Sequence, residues 1–131
     1  MQDLRIETIE QFIAVYPTLF SQKRLQDWRK LFNDSAIMVK VDYQGLTGVA
    51  NIDAPIPEQE EYAAENDFFE EKWSNIQIHT HGNIAVVIAD YVLKGDCEMR
   101  KGVDVVTLSH DSQGWKIVSL VYEQTGYKVF E

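Results

Sequence analysis

Gly102-Val103-Asp104-Val105-Val106-Thr107-Leu108-Ser109-His110-Asp111-Ser112-Gln113-Gly114-Trp115-Lys116-Ile117-Val118-Ser119 is two apolar runs joined by five polar residues. Lys101 to Ser109 reads as a strand, with Asp104, Val106 and Leu108 on one face because strand side chains alternate with period two. His110 to Gly114 supplies a polar turn ending in glycine, and Trp115 to Gln124 reads as the returning strand. Working back, Ile84 to Leu93 is almost continuously apolar, so both its faces are expected to be partly covered. His81-Gly82-Asn83 marks a turn, and Trp73 to Thr80 a strand with Ile76, Ile78 and Thr80 on one face.

The first half has helical spacing instead. Ile6, Ile9, Ile13, Tyr16 and Phe20 fall on one stripe, widened by Phe12 and Leu19, and Pro17 is expected to kink or divide that helix. Leu25, Trp28, Leu31 and Phe32 form a second stripe, closed by Asn33-Asp34-Ser35. Ala36 to Tyr43 reads as a short strand. Gln44 to Pro57, carrying Gly45, Gly48, Pro55 and Pro57, reads as a long loop of the kind that serves as a lid or binding segment. A helix is expected from Pro57, with Tyr62, Asn66 and Phe69 on one face. Glu58, Glu60, Glu61, Glu65, Asp67, Glu70 and Glu71 are expected to be solvated. Helices first and an antiparallel meander last define an α+β class, expected as one domain over residues 1–131.

Composition limits the function. The chain has 131 residues, 45% of them hydrophobic, enough for a real core. A formal net charge of -9 argues against binding nucleic-acid backbones or anionic membranes. The lone cysteine, Cys97, excludes an intramolecular disulfide, and its acidic neighbours disfavour a reactive thiolate. The N-terminal residues lack a signal-peptide pattern, and no run approaches about 18 apolar residues, so a cytoplasmic location is expected. No nucleotide-binding, hydrolase or zinc-protease motif occurs, and neither a cofactor nor a metal is expected. His79, His81 and Asp90 could offer metal ligands, but an exposed strand end is the plainer reading.

Two stretches resemble the SnoaL-like, nuclear-transport-factor-2-like superfamily. They are Trp28-Arg29-Lys30-Leu31-Phe32-Asn33-Asp34-Ser35-Ala36 and the hairpin quoted above, with its Gly114-Trp115-Lys116-Ile117. The resemblance implies a cone: three N-terminal helices packed on a curved, mostly antiparallel sheet around an apolar pocket. It also implies a homodimer. The superfamily includes isomerases, dehydratases, cyclases, ligand-binding proteins and purely associative modules, so fold alone does not select a function.

Candidate site residues follow from that implied pocket. Ketosteroid isomerase, a member of the superfamily, uses a helix tyrosine, a carboxylate base and a protonated late-strand aspartate. The resemblance puts Tyr16 at the tyrosine position and Asp104 nearest the late aspartate. The base position holds Lys40, with Asp42 two residues on. Asp104 among apolar neighbours must be paired or protonated. Tyr16 is either a core tyrosine or a pocket donor. Trp28, Tyr43, Tyr62, Phe69, Trp73, Tyr91 and Tyr122 are candidate walls for a flat organic ligand. Three readings stay open: a binder of a small apolar or aromatic metabolite, a cofactor-independent acid–base isomerase, dehydratase or cyclase, and a dimeric interaction module without a ligand.

Overall fold

The computed structural model describes residues 5–42 and 44–130. The elements are α1 (Ile9–Ser21), α2 (Leu25–Arg29), β1 (Phe32–Val41), β2 (Thr47–Asn51), α3 (Ile56–Ala64), β3 (Glu70–His81), β4 (Ile84–Lys94), β5 (Glu98–Asp111) and β6 (Gly114–Val129). Six strands make one sheet in the order β2-β1-β6-β5-β4-β3. Only β1 and β6 pair in parallel; the other neighbours are antiparallel. Register shifts at Ser74/Gln77, Lys101/Gly102 and Thr107/Leu108 bend the sheet around the helices.

The expected order of helices and strands is present, with local differences. α1 runs unbroken through Pro17 because Phe12, Tyr16, Leu19 and Phe20, on both sides of the proline, are all buried against the core. The missing proline N–H removes one helix hydrogen bond, and packing outweighs that loss. Thr8 caps the helix by accepting from the Gln11 N–H at 3.1 Å. Ile6 therefore lies before α1; it is buried, and its carbonyl accepts from the Trp115 N–H. The expected long loop contains β2, which pairs with β1. α3 ends at Ala64, so Asn66 and Phe69 are not on it. Asn66 instead bridges two segments, donating to the Tyr62 carbonyl and accepting from the Asp96 N–H, both at 2.8 Å. β3 begins at Glu70, earlier than its apolar pattern suggests, and β6 runs on to Val129.

The core is an aromatic stack beneath α1 and α2. Trp28, Phe12 and Phe32 are each 1% exposed. Trp28 meets Phe32 at 4.7 Å and Phe20 at 5.4 Å between ring centroids, while Tyr16 stacks on Trp73 at 4.6 Å. Such pairs add about 0.5–1.5 kcal/mol each beyond area burial.

The concave sheet face is ordered in cross-strand rows. Met38, Leu120, Val106 and Val87 form one apolar row. Lys40, Tyr122, Asp104 and Ala89 form the next, and Gln124, Gly102, Tyr91 and Trp73 the one after. Gly102 sits at a bulge, where a Cβ would lie 1.8 Å from the Glu123 carbonyl oxygen and 2.8 Å from the Tyr91 ring. Its bare α-carbon lets the tyrosine ring lie over the strand. Gly102→Ala is expected to destabilise the protein by about 2–4 kcal/mol, read as a lowered urea midpoint; an unchanged midpoint would contradict this packing.

Candidate functional site

Between the helices and the concave face lies a cavity of about 320 Å³, within the size range of small-molecule sites. α1 contributes Tyr16 and Phe20, α2 contributes Trp28, and α3 with its leading residue contributes Pro55, Glu58, Gln59 and Tyr62. The sheet supplies Met38, Lys40, Glu71, Tyr91, Leu93, Arg100, Asp104, Leu120, Tyr122 and Gln124. Lys40, Arg100 and Gln124 also line an outer groove with Tyr127, so they mark the mouth.

Asp104 is 4% exposed. Its Oδ2 accepts a hydrogen bond from the Trp73 indole Nε1 at 2.9 Å. Burial pushes its pKa up to about 7, against the opposing pull of the indole donor. Glu71 comes from the adjacent edge of the cone. It is half-buried as a residue, yet its Oε2 is shielded from solvent and has no hydrogen-bond partner. Desolvation, and secondarily the charge of Asp104, raise its pKa well above the carboxylate range. The Tyr16 hydroxyl is likewise pushed up, first by burial and then by the nearby Asp104 and Glu71. Burial also raises Tyr91 and Tyr122, with Asp104 as the second cause. These groups surround one low-dielectric space and all favour their neutral forms.

Among the described residues, three buried side-chain polar atoms lack a partner: Trp28 Nε1, Gln59 Oε1 and Glu71 Oε2. All three residues line this cavity. The Trp28 indole approaches the Tyr16 hydroxyl closely enough to favour its ionised form, but without a hydrogen bond of good geometry. A buried polar atom without a partner costs about 1–3 kcal/mol. Three around one space are groups that an occupant of the cavity could satisfy.

At the mouth, Glu98 draws the walls together. Its carboxylate accepts from the Tyr62 hydroxyl at 2.7 Å, the Tyr127 hydroxyl at 2.6 Å and the Arg100 Nε at 3.0 Å. The Arg100 guanidinium lies 4.7 Å over the Tyr62 ring. Burial and the Glu98 contact push the Tyr62 pKa up to about 12.

Tyr16, Asp104, Trp28, Tyr62, Tyr91 and Tyr122 thus meet at one cavity. Trp73 and Phe69 stand behind it: Trp73 holds Asp104 and stacks on Tyr16, while Phe69 packs against Phe20 and Tyr62. Tyr43 lies outside the described residues. Lys40 reaches the mouth, whereas Asp42 accepts from the Gln44 and Leu46 N–H groups of its own turn. His79 and His81 pair with Val86 and Ile84 at the far end of β3, and Asp90 accepts from Asn75 at 2.7 Å. Among the described residues no group of three potential ligands could hold a metal.

Glu71 is a correction. It reads as a solvated acid of an extended helix, but α3 has already ended and β3 has begun. Glu71 then shares the face of Trp73 two residues on, which turns it inward. The signal was that alternation, hidden by the acidic run before it.

No family model matches the sequence, and no curated protein matches it. Solved structures do match its fold. A candidate scytalone dehydratase from Novosphingobium aromaticivorans shares 15% identity at TM-score 0.75, over 94% of this chain and 85% of that one. Hexachlorocyclohexane dehydrochlorinase LinA-type3 from Novosphingobium barchaimii shares 11% at TM-score 0.73, over 93% and 87%. An NTF2-like protein with a cystatin-like fold, also from Novosphingobium aromaticivorans, shares 16% at TM-score 0.69, over 88% and 79%. The chain has the nuclear-transport-factor-2-like fold, an α+β cone.

The raised Asp104 pKa fixes a pH dependence. The folded state holds a proton that the unfolded chain has released, so stability is full below about pH 4 and falls as pH rises through about 7. Asp104→Asn keeps an acceptor for Trp73 and removes the titration. Its melting temperature is expected to exceed that of the wild type increasingly as pH rises across this window. Parallel curves would refute the assignment.

Proposed function

We propose that the protein binds a small, flat, largely apolar or aromatic metabolite in the cone. The observation that carries this is the convergence of three buried, partnerless polar atoms on one aromatic-walled cavity of about 320 Å³. A solid associative module has no use for such a space. The neighbours whose names include dehydratase and dehydrochlorinase support a small-molecule role. We place the protein in the cytoplasm as a homodimer, paired through its convex sheet face, where Val86, Ile88, Val103, Val105 and Val121 are only half-buried. No helix among the described residues is long and apolar enough to cross a membrane.

Binding is tested with a panel of bicyclic aromatic ketones and phenols, read by thermal shift and tryptophan fluorescence. At least one compound should raise the melting temperature in the wild type and lose its effect in Leu120→Trp, whose new ring occupies the cavity. A panel without a single binder would speak against the reading.

The second reading is cofactor-independent acid–base catalysis, and Asp104 favours it specifically. A carboxyl with its pKa near 7 can both accept and return a proton at neutral pH. Trp73 orients it, and Tyr16 offers a neutral hydroxyl for a developing oxyanion. For a substrate found among the binders, Asp104→Asn should lower turnover by about 10²–10⁴. Unchanged turnover would remove Asp104 from the chemistry.

A further inference from the structure

The cavity holds two shielded carboxyls and no cation to match them. Asp104 accepts one hydrogen bond, from the Trp73 N–H at 2.9 Å, and Glu71 Oε2 accepts none. Among the described residues neither acid has an ion-pair partner. The two bases of the lining are placed elsewhere: Arg100 is paired with Glu98 at 2.9 Å, and Lys40 stands exposed at the mouth. The partnerless atoms add to the imbalance. Trp28 is 1% exposed, and its N–H has the Tyr16 hydroxyl beside it. Gln59 Oε1 and an ionised Glu71 Oε2 are acceptors without a donor. An occupant that satisfies them brings N–H or O–H groups.

Charge and walls narrow the choice. The charge of Asp104 opposes ionisation of Glu71, so the pair sharing one proton carries one negative charge. A monocation neutralises it. Tyr16, Trp28, Tyr91 and Tyr122 line the same space, and burial keeps the three tyrosine hydroxyls neutral. Aromatic rings attract a cation within about 6 Å of the ring centre. One ring of this wall already does so, with the Arg100 guanidinium 4.7 Å over Tyr62. The formal net charge of -9 favours the approach of cations from solution.

We propose that the cavity recognises an organic monocation: an aromatic ligand with a primary ammonium group, whose N–H donors go to Glu71 and Asp104 and whose ring packs on the aromatic wall. This rests on the ligand-binding reading above and names the chemical class of its ligand. A neutral arene of the same shape fills the walls but leaves the carboxyl charge unmatched, so it binds more weakly. A ligand carboxylate placed beside the two acids is repelled.

The test compares β-naphthylmethylamine, a monocation at neutral pH, with β-naphthylmethanol, its uncharged counterpart, by isothermal titration calorimetry. Wild type should bind the amine about tenfold or more tightly than the alcohol. Glu71→Gln and Asp104→Asn keep shape and remove charge. Each should weaken amine binding by about ten- to a hundredfold and leave alcohol binding nearly unchanged. The preference for the amine should also survive about 0.5 M sodium chloride, because a shielded ion pair is screened little. Where a substitution abolishes alcohol binding as well, the salt dependence decides. A preference lost in salt belongs to the acidic surface and overturns the proposal. So does a preference that both variants retain. An alcohol bound as tightly as the amine overturns the proposal and leaves the ligand-binding reading standing. A wild type that binds neither compound overturns the proposal and counts against that reading too.

Discussion

Everything at the site depends on one hydrogen bond, from the Trp73 indole to the Asp104 carboxylate at 2.9 Å. A carboxyl on the concave face of the sheet cannot sit there alone, because an unpaired buried charge is expensive. The indole makes the position tolerable without neutralising it. It also joins β3 to β5 across the intervening β4, and Trp73 presses its ring on Tyr16. A single side chain thus couples the sheet, the first helix and the acid. The aromatic core beneath supplies the rigidity that fixes these groups.

The same geometry explains why the cavity stays open. Aromatic rings fill the space under α1 and α2, but the rows nearer the mouth carry Lys40, Tyr122, Asp104, Gly102 and Gln124. Gly102 contributes no side chain, and the Tyr91 ring lies over it. Replacing Asp104 and Glu71 with well-packed apolar residues would be expected to make a more stable cone. Polar groups retained at that cost are more readily explained by a ligand than by folding.

Much of this architecture was legible in the sequence. The alternation of Asp104, Val106 and Leu108 placed a carboxylate on an apolar face, and the spacing of Phe12, Tyr16, Leu19 and Phe20 gave the buried face of α1. Less visible were features that depend on partners distant in sequence. β2 is five residues of weak pattern that exists because β1 offers an edge. Phe69 belongs to the core through a chain reversal held by Asn66, beyond reach of helical periodicity. Glu71 was masked because an acidic run looks solvated until the strand boundary is known. Of the aromatic candidates, Trp73 was found, but as a wall; its role as the partner of Asp104 appears only when β3 and β5 are placed two strands apart in the same sheet.

Site-resolved NMR titration of the side-chain carboxyl carbons of Asp104 and Glu71 tests the account most directly. Asp104 should titrate near 7, and Glu71 well above the ordinary carboxylate range. Ordinary carboxylate titration of both groups, near 4, would contradict it.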